Sequence, residues 1–213
     1  MRNRLALDRI IGLIRSLDIA PATPWARASE GADHMGALLA DAVLQSGMNY
    51  KTFVMPRVKR VRTLYPHATT VIALRRLLRS VGPKALLDVA NIAKCTALWG
   101  LVDLFSEEQV DTVAELRAWI EMPCARHKLL AVHGVGEKTA AFLRILLGHD
   151  GIAIDTHVRR AAAAVKVVTK TDGELAALFA EAAMQTGYRL TDIDGALWTR
   201  ESGRRSKGTT SEL

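Results

Sequence analysis

Lys138 and Asp155 are the two residues whose types and spacing best suit them to do chemistry. An amine that has given up its proton is a nucleophile and a Schiff-base former. A nearby carboxylate stabilises positive charge that develops on a carbon. The two belong to one stretch. Leu129-Leu130-Ala131-Val132-His133-Gly134-Val135-Gly136-Glu137-Lys138-Thr139-Ala140 is followed by a hydrophobic helix and then by Ile154-Asp155-Thr156-His157-Val158. Between Val132 and Lys138 the chain must turn from one helix into another. Gly134 and Gly136 permit the positive φ angles and close backbone approach such a turn requires. Their N–H groups, with those of the next helix's first turn, point outward at a helix N-terminus, where an anion binds well. A nucleic-acid phosphate fits there, and the contact would not depend on base sequence.

Each of these residues also has an ordinary explanation. A Gly-x-Gly can simply join two helices, a lysine can pair with phosphate at the surface, and Asp155 is a good N-cap for the helix opening at Thr156. Capping and charge stabilisation are compatible roles for one carboxylate. For Lys138 the positive end of the helix dipole and partial burial disfavour an ammonium, whereas bound phosphates favour it. His157 reads as a packing or phosphate-contact residue, because no second His, Cys or acid sits at ligand spacing nearby. His127 and His133 flank the turn.

The elements that must position these groups are helical almost throughout. Ile10, Leu13, Ile14 and Leu17 fall at helical spacing, as do Val54, Val58, Val61 and Tyr65, and then Val158, Ala161, Ala162, Val165 and Val168. Thr112 and Thr191 each stand three residues before an acid, the arrangement of a capping box. Asp172 precedes a helix that Gly187 can end. Prolines at 21, 24, 56, 66, 83 and 123 separate roughly ten short helices. No segment alternates with period two, so the spacing predicts no sheet. The tail from Ser202 reads as unstructured.

Composition bounds the rest. The 213 residues suffice for one large domain or two small ones, and 49% apolar content is globular. A net charge of +7 favours an acidic partner, nucleic acid ahead of a membrane surface. No run approaches the ~18 apolar residues of a membrane span. Asp8, Arg9 and Arg15 interrupt any secretory core, so a cytoplasmic location is expected. Cys95 and Cys124 are too few for a four-thiolate metal site and read as two reduced thiols.

The pattern hydrophobic-x-Gly-hydrophobic-Gly-x-Lys-Thr-Ala resembles the hairpin of the helix-hairpin-helix DNA-repair glycosylases, the superfamily that includes endonuclease III. Ile154-Asp155-Thr156-His157 resembles the segment carrying the essential aspartate of those enzymes, at nearly the same distance from the lysine. His133 stands where the family commonly has proline. The strong similarity covers about Leu129 to Val165. Beyond it, Leu38 to Gln45 looks like the family's central core helix, and Asp192 to Trp198 resembles the last helix of members that lack an iron–sulfur cluster.

This resemblance implies an all-α, two-lobed fold with DNA in a central active-site cleft. Residues 31–148 would form a six-helix domain ending in the hairpin. Residues 1–30 and 149–213 would form the second domain, with 203–213 as a tail. The implied activity is base excision: a damaged or mismatched base is flipped from double-stranded DNA. Lys138 then attacks the sugar with Asp155 assisting, and the Schiff base permits strand nicking as in an AP lyase. A monofunctional glycosylase and a non-catalytic helix-hairpin-helix DNA-binding module remain as alternatives. DNA contacts are expected at Gly134, Val135, Gly136, Thr139 and His157. By position, the loop holding Gln45, Met48, Asn49 and Tyr50 is the candidate for filling the void left by the flipped base and for part of the base pocket; an ordinary interhelical turn explains it equally well. Tyr50, Phe53 or Trp198 could stack on a base. A Na⁺ or K⁺ is implied on the carbonyls of Leu130, Val132 and Val135. No cysteine follows Cys124, so no iron–sulfur cluster is expected, nor any other required cofactor. A nucleoid-associated monomer is the default, and the target base is unspecified.

Overall fold

A computed structural model of the chain describes residues 2–19 and 33–207. Pro21, Pro24 and the domain boundary expected near residue 31 lie outside them, as does the end of the expected tail. Among the described residues all regular structure is helical and none is strand. No helix is long and apolar enough to cross a membrane. The described residues form two compact units, one from Pro24–His149 and the other from Met1–Thr23 with Asp150–Leu213.

In the Pro24–His149 unit the helices are α2 (Met35–Leu44), α3 (Met55–Leu64), α4 (Val71–Leu87), α5 (Ile92–Glu107), α6 (Val113–Trp119), α7 (Ala125–Ala131) and α8 (Glu137–Leu146). A single π-helical turn, Tyr50–Val54, leads into α3. Helix α2 is apolar on nearly every face, and all ten of its residues are buried. A helix apolar all round is stable only at the centre of its unit. There α2 packs against α3, α4, α5 and α8. Its N-cap is His34, whose Nδ1 accepts the Ala37 N–H at 3.0 Å and whose Nε2 meets the Tyr65 carbonyl at 3.0 Å. Burial lowers the His34 pKa, which suits a ring that must present one bare nitrogen. The predicted face of Val54, Val58 and Val61 is buried. Pro83 does not separate two helices by a loop; Gly82 at φ 76° kinks α4 in place. Thr112 forms the predicted capping box with Glu115.

In the other unit, α1 (Arg2–Arg15) packs on α10 (Asp172–Thr186), while α9 (Thr156–Ala164) packs on α11 (Leu190–Lys207) and on α1. Ile10, Leu13, Ile14 and Leu17 enter its core beside Val158, Ala161, Ala162, Phe179, Ile193 and Leu197. Three details differ from expectation. The stripe ending at Val168 breaks: Lys166 adopts φ 59°, which turns Val167 into the core and leaves Val168 88% exposed. Thr191 does not cap α11 but lies in its first turn, and Asp150 caps the helix from the loop before α9. Helix α11 continues through the expected tail as far as Lys207, since extending a formed helix costs less than nucleating one.

Candidate active site

The turn between α7 and α8 is built around one glycine with two duties. Gly134 adopts φ 86°, and a Cβ there would lie 3.0 Å from the Ala93 carbonyl oxygen and 3.1 Å from the Ala97 methyl. Both α5 residues therefore sit directly under the turn. A second close approach helps to seat it: a Cβ at Gly100 would meet Val132 Cγ1 at 2.5 Å. The Val135 N–H closes the turn on the Val132 carbonyl at 3.0 Å, and Val135 is buried.

Gly136 behaves differently from the sequence expectation. Its φ of −101° and ψ of 178° are open to any residue, and a Cβ there would meet nothing within 4 Å. It is the N-cap of α8 and offers no side chain to the helix's first N–H groups. Among described helices that start from extended backbone, the others have a side-chain cap: His34, Thr70, Asn91, Thr112, Asp155 and Thr171. The start of α8 thus presents backbone donors and the positive end of a helix dipole. Lys138 is the second residue of that helix and is half-buried. Glu137 before it pairs with Arg126 of α7, and Thr139 after it is buried, 8% exposed. A DNA contact from Thr139 would therefore run through its backbone.

The Leu130, Val132 and Val135 carbonyls are hard oxygen donors of the kind that suit Na⁺ or K⁺. Val132 already accepts the turn's hydrogen bond and would share its oxygen with an ion.

The Gln45–Tyr50 loop follows α2 directly. Gln45 Nε2 donates to Asp41 Oδ1 at 2.9 Å, and the Tyr50 hydroxyl reaches Asp41 Oδ2 at 3.4 Å, so both turn toward a buried carboxylate. Asn49 caps the π-helical turn by accepting the Thr52 N–H at 3.0 Å. Met48 is exposed at the loop's tip, and Gly47 adopts φ 74°. One face of Phe53 is covered by the Arg57 guanidinium, 3.8 Å from the ring centroid.

A residue absent from the sequence reading holds this loop. Lys94 is 7% exposed, and its Nζ donates to the carbonyls of Val43, Leu44 and Ser46 at 3.1, 3.0 and 2.9 Å. Burial lowers its pKa, and the charge of Lys138 adds to the effect, which places the two ammonium groups within electrostatic reach. The sequence signal was a lone lysine in the apolar run Ile92-Ala93-Lys94-Cys95-Thr96-Ala97-Leu98.

In the other unit, Asp155 is the N-cap of α9. Its Oδ1 accepts the N–H groups of His157 and Val158 at 2.8 and 3.0 Å. Asp155 is half-buried, and its charge also reaches Arg159. His157 Nδ1 is buried without a hydrogen-bond partner among the described residues. Behind this loop the Ala153 N–H donates to Asp194 at 3.3 Å.

No protein-family model and no curated protein sequence matches the chain. Among solved structures, an 8-oxoguanine DNA glycosylase of Methanocaldococcus jannaschii matches with a TM-score of 0.52 at 14% identity, covering 92% of this chain and 86% of that one. At that identity the likeness is one of fold. The chain shares the all-α fold of that structure.

Proposed function

We propose that the protein is a base-excision DNA glycosylase that also nicks at the abasic site it makes, with Lys138 as nucleophile and Asp155 as its carboxylate. The observation that carries this reading is the start of α8. A helix entered from extended backbone, with no side-chain cap, stands on a glycine-mounted turn and bears a half-buried lysine at its second position. The fold likeness to a glycosylase supports it, as does a carboxylate held by two backbone N–H groups at Asp155.

The chemistry follows from these groups. A backbone phosphate takes the N–H groups at the start of α8, and the target nucleotide leaves the stack at a cost of a few kcal/mol, least for a damaged base. Uncharged Lys138 Nζ bonds to the sugar C1′ while the C1′–base bond breaks. The electron pair leaves with the base, which takes up a proton. Asp155 stabilises the positive charge at C1′ and accepts the proton that Nζ gives up. The sugar ring opens to an imine. Loss of a C2′ proton then expels the 3′ phosphate, and water releases Lys138. Leu130, Val132 and Val135 would hold a monovalent cation, which would supply positive charge at the hairpin beside the DNA backbone. The protein acts on duplex DNA as a monomer, in the compartment that holds the chromosome.

The test is borohydride trapping on abasic-site duplex, alongside a panel of single-lesion duplexes headed by 8-oxoguanine. That base leads because the structural neighbour is named for it. A trapped adduct that disappears in Lys138→Ala is the expected result. Base release without any adduct would leave a monofunctional glycosylase, and duplex binding without either reaction would leave a binding module.

A further inference from the structure

Lys94 is the residue whose position the mechanism above does not use. It is the third residue of α5, at the positive end of that helix, where an ammonium is disfavoured twice, by burial and by the helix dipole. What offsets this is on the opposite side. Val43 and Leu44 end α2, whose last carbonyls have no helical partner, and Ser46 lies in the loop beyond. Three acceptors converge on one nitrogen. Only an ammonium offers three donors from a single atom, so the geometry specifies lysine and not merely a polar side chain.

The same turn of α5 carries the hairpin, because Gly134 rests on the carbonyl of Ala93, the residue before Lys94. One turn of helix therefore fixes two things: the hairpin that ends in Lys138 and the loop that begins at Gln45. We propose that Lys94 is a positioning residue that clamps the Gln45–Tyr50 loop to the platform bearing the hairpin, and so sets where the extruded base sits relative to Lys138. This rests on the glycosylase reading. It predicts that Lys94 matters more for taking a base out than for acting on a sugar that has already lost one, because an abasic site presents no base to the loop.

The experiment compares wild type with Lys94→Met, which keeps the apolar stem and removes the ammonium. Single-turnover excision is followed on whichever lesion duplex the wild type accepts, nicking on a preformed abasic duplex, and amide hydrogen exchange at residues 45–50. Excision is expected to fall at least about tenfold, the scale of a small misplacement. Nicking is expected to stay within about threefold of wild type, with exchange in the loop faster. Lys94→Arg, which keeps a charged donor, should recover part of the excision rate. Equal losses in both reactions, or unchanged exchange in the loop, would overturn the proposal and leave Lys94 as a plain structural bond. If Lys94→Met does not fold, Lys94→Gln keeps two donors on a shorter side chain and is read by the same ratio. A wild type with neither reaction sinks the glycosylase reading itself, a result distinct from an active wild type whose variant loses both equally.

Discussion

Helices α8 and α9 both start from extended backbone beside a candidate catalytic residue, and they are closed in opposite ways. At α9 the Asp155 carboxylate accepts two N–H groups of the first turn. At α8 the cap residue is Gly136, which has no side chain to offer the corresponding groups. Folding alone accounts for the first arrangement, since an aspartate cap contributes about 1 kcal/mol wherever it occurs. The second adds no such bond, and it is the exception: every other helix starting from extended backbone among the described residues has a side-chain cap. On the proposed reading, Asp155 combines a charge-stabilising role with a structural one, while Gly136 offers the start of α8 no side chain at all.

The largest expected effect falls on the residue with no capping role. Lys138→Ala should lower borohydride trapping on abasic DNA by about a thousandfold or more, the usual loss with a nucleophile. An adduct that persists would move the nucleophile elsewhere. At α9 the two roles of one carboxylate separate by choice of substitution. Asn caps as well as Asp, so Asp155→Asn should keep the unfolding free energy within about 0.5 kcal/mol, whereas Asp155→Ala should lose about 1 kcal/mol. Excision by Asp155→Asn should slow about a hundredfold, because the amide carries no charge to set against a cationic sugar. Base release at the wild-type rate would reduce Asp155 to a helix cap.

The two hairpin glycines sharpen the contrast further. Gly134→Ala forces a Cβ into a positive-φ position and against the Ala93 carbonyl, which should cost about 1–3 kcal/mol in urea unfolding. Gly136→Ser instead places a capping hydroxyl where a Cβ has open space. It should stabilise the fold by about 0.3 kcal/mol while weakening undamaged-duplex binding by about threefold to tenfold, since the new hydroxyl competes with phosphate for the same N–H groups. Stability and affinity moving together would refute the idea that α8 was left open for DNA.

What the sequence made legible follows the same divide. Local patterns were readable: the apolar faces of α1 and α3, the capping box at Thr112, and the residue types of the turn. The buried face of α9 was readable only as far as Val165, because the left-handed residue at Lys166 resets the register and no pattern of side chains announces it. Gly134 and Gly136 looked equivalent as letters, yet only Gly134 has a positive φ and only Gly134 meets another helix. Lys94 was invisible for a deeper reason. Its partners are backbone carbonyls some fifty positions earlier, and a carbonyl is the same at every residue. Asp150, which caps α11 across forty positions, was hidden in the same way.

That cap is a third kind of helix start, closed by a carboxylate from a distant loop, and it yields the smallest predicted effect. Partial burial opposes ionisation of Asp150, but the N–H groups of Thr191 and Leu190, the Thr191 hydroxyl and the charge of Arg189 together hold its carboxyl below the usual range. A carboxylate depressed in the folded state adds stability above its unfolded pKa of about 4, and this is lost as pH falls through the lower folded value. The stability difference between wild type and Asp150→Asn should therefore be flat from neutral pH down to about pH 5 and shrink below about pH 4. It should be modest, since the side chain is 45% exposed and Arg189 stands 3.9 Å away, where salt screens the pair. Urea unfolding of both proteins across that range gives the answer. A difference that survives to pH 3 would mean that the hydrogen bonds, and not the charge, close the start of α11. Asp155 would then be the better choice for asking what a charged cap adds to a helix of this fold.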